Sequence, residues 1–246
     1  MSALLDAYNE RLAEVEAYIE FLSVMEAQAR LGPPKIEGAL EPISAQQQKI
    51  LYSSLYLQLY NLVEATMTRC IESVSQAAAD GRAWLPKDLT DSLRREWVRF
   101  IARTHVDLSP DNRLNAAIVL CQHLVESLPI ADFGIEKGGG GNWDDQAIEA
   151  ISVRLGLGLV VSNDVYRAIK RPVKNDLGAM GLVKSLRNKL AHGSISFEQC
   201  ASNVTVQDLI DVKEKVTLYM REVVDGFELY IRQFGFLIPE KRPAAQ

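Results

Sequence analysis

Gly181-Leu182-Val183-Lys184-Ser185-Leu186-Arg187-Asn188-Lys189-Leu190-Ala191-His192-Gly193 reads as a helix that ends in a cluster of reactive side chains. Leu182, Val183, Leu186 and Leu190 recur at the spacing of one helix face and are its expected buried positions. Gly193 is the expected stop, because glycine accepts the left-handed backbone that closes many helices. The polar positions carry Arg187, Asn188 and His192. A helix of this kind needs other helices to cover its apolar face.

Downstream, Thr205 and Asp208 resemble a capping pair. A long helix is expected from there through Leu209, Ile210, Val212, Val216, Tyr219, Met220, Val223, Phe227, Tyr230 and Ile231. Pro239 and the tail from Arg242 to Gln246 are expected to fray. Upstream, residues 2–30 repeat Leu4, Tyr8, Leu12, Val15, Ile19, Leu22 and Met25 at helical spacing, with acids between them. Gly32-Pro33-Pro34 stops that helix. A second helix is expected from Ser44, its N-cap, to Ala79, with Asp80-Gly81 ending it. Its apolar residues cover more than one face, as in the central helix of a bundle. Residues 82–135 predict two or three shorter helices, Leu93–Arg103 and Asn112–Ser127 among them, with Pro86, Pro110 and Pro129 as breaks. Gly138 to Gly141 is an expected turn, and Asn142 or Asp144 an expected cap for a helix over 145–155. Residues 156–178 carry no clear pattern, with Gly156, Gly158 and Pro172 against long order.

Strand alternation is absent, so the fold class is all-α, an up-and-down helical bundle. The expected organisation is an N-terminal amphipathic helix and linker over 1–42. A helical domain follows over 43–238, with a helical insertion at 82–175, and then a tail over 239–246.

Of 246 residues, 48% are hydrophobic and 24% charged, which excludes a mainly disordered chain. With 27 basic and 32 acidic residues the net charge is −5, so a uniformly basic nucleic-acid coat is excluded and a local basic patch is not. Cys70, Cys121 and Cys200 are scattered, which gives no disulfide framework and points to a reducing, cytoplasmic compartment. No apolar run is long enough to span a bilayer. Met1-Ser2-Ala3-Leu4-Leu5-Asp6 has no basic start, so no signal peptide is expected.

The chemistry gathers at Arg187 and His192. Arg187 offers a permanently charged fork that matches two phosphate oxygens. His192 exchanges protons near neutral pH. Together they are the minimum equipment for cutting RNA without a metal: one group takes the ribose 2′-hydroxyl proton, and another offsets the charge growing on the phosphate. On an ideal helix residues five apart differ by about 140° in direction. Convergence is easier if the helix ends near His192, or if a second copy of the chain contributes its own segment.

Arg187-Asn188-x-x-x-His192 resembles the R-x4-6-H signature of HEPN domains (higher eukaryotes and prokaryotes nucleotide-binding). A long early helix with Leu59-Tyr60-Asn61-Leu62-Val63-Glu64, the downstream motif and the long closing helix match the large standalone prokaryotic group. The resemblance implies a metal-independent endoribonuclease with no cofactor. It implies a homodimer whose two motifs line one cleft, acting as a toxin or an abortive-infection effector and often neutralised by a cognate antitoxin. Carried over by residue, Arg187 and His192 become the catalytic pair and Asn188 its polar support. Glu64 joins as an acidic helper, Asn61 stands one turn before it, and Tyr60 is a further candidate. The 82–175 segment is longer than a minimal bundle of this family needs.

From Arg167 to His192 seven basic residues face Asp176 alone, a local balance of +6 in a chain whose remainder carries −11. Lys174, Lys184, Lys189 and Arg171 are the expected phosphate contacts, with Asn61. The competing readings are plain ones. Arg187 pairs with a carboxylate, His192 caps a helix C-terminus, and the basic run is a solvated face. On those readings the chain is a non-catalytic binding module for a nucleotide or a partner protein, or a regulatory partner of the antitoxin kind. His105 and His123 have no ligand neighbours in sequence that predict a metal site. Gly138 to Gly141 lacks the Lys-Ser/Thr of a phosphate loop. The acidic face of the first helix argues against anionic lipid.

Overall fold

A computed structural model describes residues 3–80, 83–104, 106–131, 133–137 and 142–243. The Gly81 stop, His105, the Gly138–Gly141 turn and the last three residues of the tail lie outside the described residues. Among the described residues the secondary structure is helical, with no strand beyond two isolated bridges, Leu89 with Leu237 and Lys174 with Leu177. This is the all-α bundle expected from the sequence.

The central helix is α2 (Ala45–Ala79). Ser44 starts it through a capping box: its hydroxyl accepts from the Gln47 backbone N–H at 3.2 Å, and the Gln47 side chain accepts from the Ser44 N–H at 2.8 Å. At 35 residues it is about 52 Å long. Leu55, Leu59, Leu62, Met67, Cys70, Ile71 and Val74 are all sealed, on more than one face. That follows from its neighbours, because α1 (Ala3–Ala29), α7 (Ala179–Ala191), α8 (Phe197–Cys200) and α9 (Val206–Arg232) all pack on it.

Helix α1 buries Tyr8, Val15 and Leu22, spaced seven apart, with Leu4 and Met25 at the ends of the stripe. This single stripe sits against α2 and α9. Two tyrosines fix its register: Tyr8 donates to the Thr217 carbonyl at 2.7 Å and Tyr18 to the Leu51 carbonyl at 2.8 Å. Helix α9 begins at the expected Thr205–Asp208 capping box and buries the expected face.

The segment after α2 holds α3 (Asp91–Ala102), α4 (Pro110–Val125), α5 (Asp145–Leu155) and α6 (Asn163–Lys170). Pro86 and Pro110 stand at breaks between helical segments, as expected. Each sits in the opening turn of a helical segment, where a missing N–H costs nothing and the fixed φ suits the helix. Helix α6 occupies the stretch that carried no pattern in sequence. It fits between Gly156, which ends α5 at φ +73, and Pro172. The chain end is tied down rather than frayed at Pro239. Phe236 and Leu237 are fully buried, Thr90 donates to the Phe236 carbonyl at 2.9 Å, and Pro239–Lys241 forms a 3-10 turn.

Helix α7 starts two residues before the expected Gly181, with Gly178 as its N-cap. A Cβ at Gly178 would lie 2.3 Å from the Ile169 carbonyl oxygen, so only glycine lets α7 begin this close to the end of α6. No described helix is long and apolar enough to cross a membrane.

Candidate active site

Helix α7 ends as its sequence demands. His192 is the C-cap, and its backbone N–H bonds the Asn188 carbonyl at 3.0 Å. Gly193 takes φ +67. The Gly193 N–H then reaches the Leu190 carbonyl at 3.2 Å, and the Ser194 N–H reaches the Lys189 carbonyl at 2.8 Å. This pair of crossed bonds is a Schellman closure. It places the imidazole of His192 on the last helical turn, in solvent.

Arg187 lies one and a half turns earlier, where α7 meets α2. Its Nη1 donates to Asn188 Oδ1 at 2.8 Å. Its Nη2 is 3.4 Å from Glu64 Oε2. Its guanidinium carbon lies 4.3 Å from the centre of the Tyr60 ring, in cation–π geometry. The Arg187 side chain is 32% exposed and that of Glu64 44%, so the pair is half-buried and open to solvent on one side. Glu64 follows Tyr60 by four residues on α2, which sets both under the same guanidinium. Burial pushes the Tyr60 hydroxyl above its ordinary range; the Trp143 N–H that bonds it and the Arg187 charge pull the other way.

Arg187, Asn188, Glu64 and Tyr60 are thus brought together. His192 is not joined to them: among the described residues no hydrogen bond or ion pair engages its ring. Asn61 is exposed on α2, one turn before Glu64.

Such an arrangement offers a guanidinium fork for an anion and an imidazole open to solvent. The fork of Arg187 keeps one N–H on each terminal nitrogen, and its Nε–H, free for an anion. Asn188 and Glu64 hold the fork in plane, and Tyr60 fixes its tilt. The exposed His192 can give or take a proton without first breaking an internal bond.

The basic patch is smaller than the linear count. Lys184 is paired with Asp144, and Lys170 with Asp145 at 2.5 Å and Glu149 at 3.3 Å. Counting these acids and Glu64, the balance falls from +6 to +2. Lys184 is therefore committed within the chain rather than free for phosphate. Lys174, Lys189 and Arg171 stay exposed, with no ion-pair partner among the described residues. Lys174 and Lys189 act on the Cys200 thiol, whose pKa burial raises and they lower, so they lie toward α8. The patch divides between an α5 side, where Lys184 and Lys170 are neutralised, and an α8 side, where Lys174 and Lys189 are not.

The sequence reading missed the part played by Asp144, weighed there only as a helix cap. Its Oδ1 does cap α5, accepting from the Ala147 N–H at 2.9 Å, while its Oδ2 holds Lys184. No local signal marks a carboxylate forty residues from its lysine.

A family model for MAE_28990-like HEPN domains matches residues 1–236. The chain belongs to the HEPN family. No curated protein and no solved structure matches this HEPN chain. The match takes in the leading helix, the 82–175 segment and the closing helix of this HEPN protein, as well as the R-N-x-x-x-H string.

Proposed function

We propose that this HEPN protein is a metal-independent endoribonuclease, acting in the cytoplasm as a toxin or abortive-infection effector. What supports the reading is the half-buried Arg187 fork, braced by Glu64, Asn188 and Tyr60, with a solvent-facing imidazole at the end of the same helix. The Arg187–Glu64 pair and the C-cap position of His192 also meet the plain structural reading; what favours the nuclease is the set of N–H donors that the fork keeps unengaged.

The reaction is an intramolecular transfer. A base takes the proton of a ribose 2′-hydroxyl, and that oxygen attacks the adjacent phosphorus. The bond from phosphorus to the 5′-oxygen breaks, and an acid protonates the departing oxygen. The products are a 2′,3′-cyclic phosphate and a 5′-hydroxyl. Arg187 holds the phosphate and offsets its growing charge. His192 serves as acid or base. The step calls for both roles, so a homodimer that sets two copies of the motif across one cleft supplies them together. Lys174, Lys189 and Arg171 contact neighbouring phosphates. A cognate antitoxin would act by covering this face.

The test is RNA cleavage in EDTA by the wild type and by His192→Ala. The wild type is expected to cut and the variant to lose on the order of 10²- to 10⁴-fold. Equal activity in the two would sink the assignment.

A further inference from the structure

We infer that the 82–175 segment braces the reactive arginine, with Tyr60 and Asp144 as positioning residues that set the direction of the Arg187 fork. The inference rests on the nuclease reading for its consequence, and on geometry alone for the brace. Trp143 and Asp144 are consecutive, and each sends one bond into the site. The Trp143 backbone N–H donates to the Tyr60 hydroxyl at 3.2 Å, and the face of that ring carries the Arg187 guanidinium at 4.3 Å. Asp144 binds Lys184, three residues before Arg187 and so on the same face of α7. Two struts from one dipeptide therefore land on α2 and α7, the two helices between which the guanidinium is held.

The base of the struts is firm. The Trp143 side chain is 2% exposed. Asp144 caps α5 with its other oxygen, and α5 buries Ile148, Ile151 and Leu155 and packs on α3. Helix α3 is fastened to the closing turn through Thr90 and Phe236. A shift of α5 thus reaches Arg187 without passing through α2 alone. The segment that exceeds a minimal bundle thereby holds the fork at the angle the phosphate needs. Misplacement of a catalytic group by about 1 Å costs up to about 10²-fold in rate.

Three variants of the full chain separate the parts. Tyr60→Leu removes the ring. Tyr60→Phe keeps the ring and removes the acceptor for Trp143. Asp144→Asn keeps a good helix cap and removes the charge that holds Lys184. The direct readout is the Arg187 Nε–H resonance, assigned by its loss in Arg187→Lys, because a proton over an aromatic face is shifted by that ring. The resonance is expected to move in Tyr60→Leu and Asp144→Asn, and to keep most of its ring shift in Tyr60→Phe. In cleavage, kcat is expected to fall by about tenfold in Tyr60→Leu and Asp144→Asn with KM within about threefold, and Tyr60→Phe to recover most of the loss. An unmoved resonance in both Tyr60→Leu and Asp144→Asn overturns the brace, and a moved resonance with unchanged kcat overturns its consequence for cleavage. A wild-type chain that cuts no RNA overturns the nuclease reading instead, and the resonance alone then decides the brace.

Discussion

Glu64 and Arg187 stand 123 residues apart in the chain and 3.4 Å apart in space, one on the central helix and one on the helix that carries the motif. Glu64, expected as an acidic helper, and the carboxylate that the plain reading gives Arg187 are therefore one and the same residue. Replacing Arg187 by lysine keeps the charge and loses the planar fork, so kcat/KM is expected to fall on the order of 10²- to 10³-fold. Glu64→Gln leaves an oxygen near the fork and removes only the counter-charge. Its loss is expected to be smaller, and steady-state cleavage of one RNA by the two variants checks the order.

Lys184 and Lys189 lie on the same helix and face different surroundings: one is bound to Asp144 and the other is exposed. Only a free cation releases counter-ions on binding RNA. In a His192→Ala background, Lys189→Ala is expected to lower the slope of log affinity against log salt by about 0.7 for single-stranded RNA. Lys184→Ala is expected to leave the slope unchanged. Binding titrations over a salt series distinguish the two.

Gly178 allows α7 to start against the end of α6. Gly178→Ala pushes a methyl into the Ile169 carbonyl, an oxygen of the backbone that cannot swing away. The expected loss is about 1–3 kcal/mol in unfolding free energy, read from denaturant melts.

Asp208 is held below the usual carboxylate range, first by the Thr205 backbone N–H and then by the Thr205 hydroxyl. A lowered folded pKa makes its capping contribution fully present above the ordinary aspartate range. The contribution is lost as pH falls through the lowered value. Asp208→Ala is expected to cost about 1 kcal/mol near neutral pH. The gap between variant and wild type should close at an acid pH below that lowered value. Thermal melts at the two pH values check both the size and the sign.

The helices whose signals are local were legible in the sequence. The caps at Ser44 and at Thr205 with Asp208 lie within three residues of what they cap, and the burial stripes follow from spacing alone. Helices α6 and α8 escaped because eight and four residues hold too few turns to show a period. Pro86 and Pro110 marked the breaks between segments because proline cannot continue a helix from within yet opens one at its first turn. The Arg187–Asn188 contact was not legible, since neighbours one apart on a helix do not face each other and spacing set Asn188 toward His192; the place of Glu64 was half legible. The neutralisation of Lys184 and Lys170 by acids of α5 was not, since the pairs form only when the chain folds back on itself.

The most direct measurement of the proposed chemistry is the cutting of two RNAs of one sequence, identical except for a single 2′-deoxy sugar at the scissile position. The all-ribose strand is expected to be cut to a 2′,3′-cyclic phosphate and a 5′-hydroxyl, and the deoxy strand to resist at that bond. Equal cutting of both strands at the same bond would contradict it, because no 2′-oxygen would then be the nucleophile.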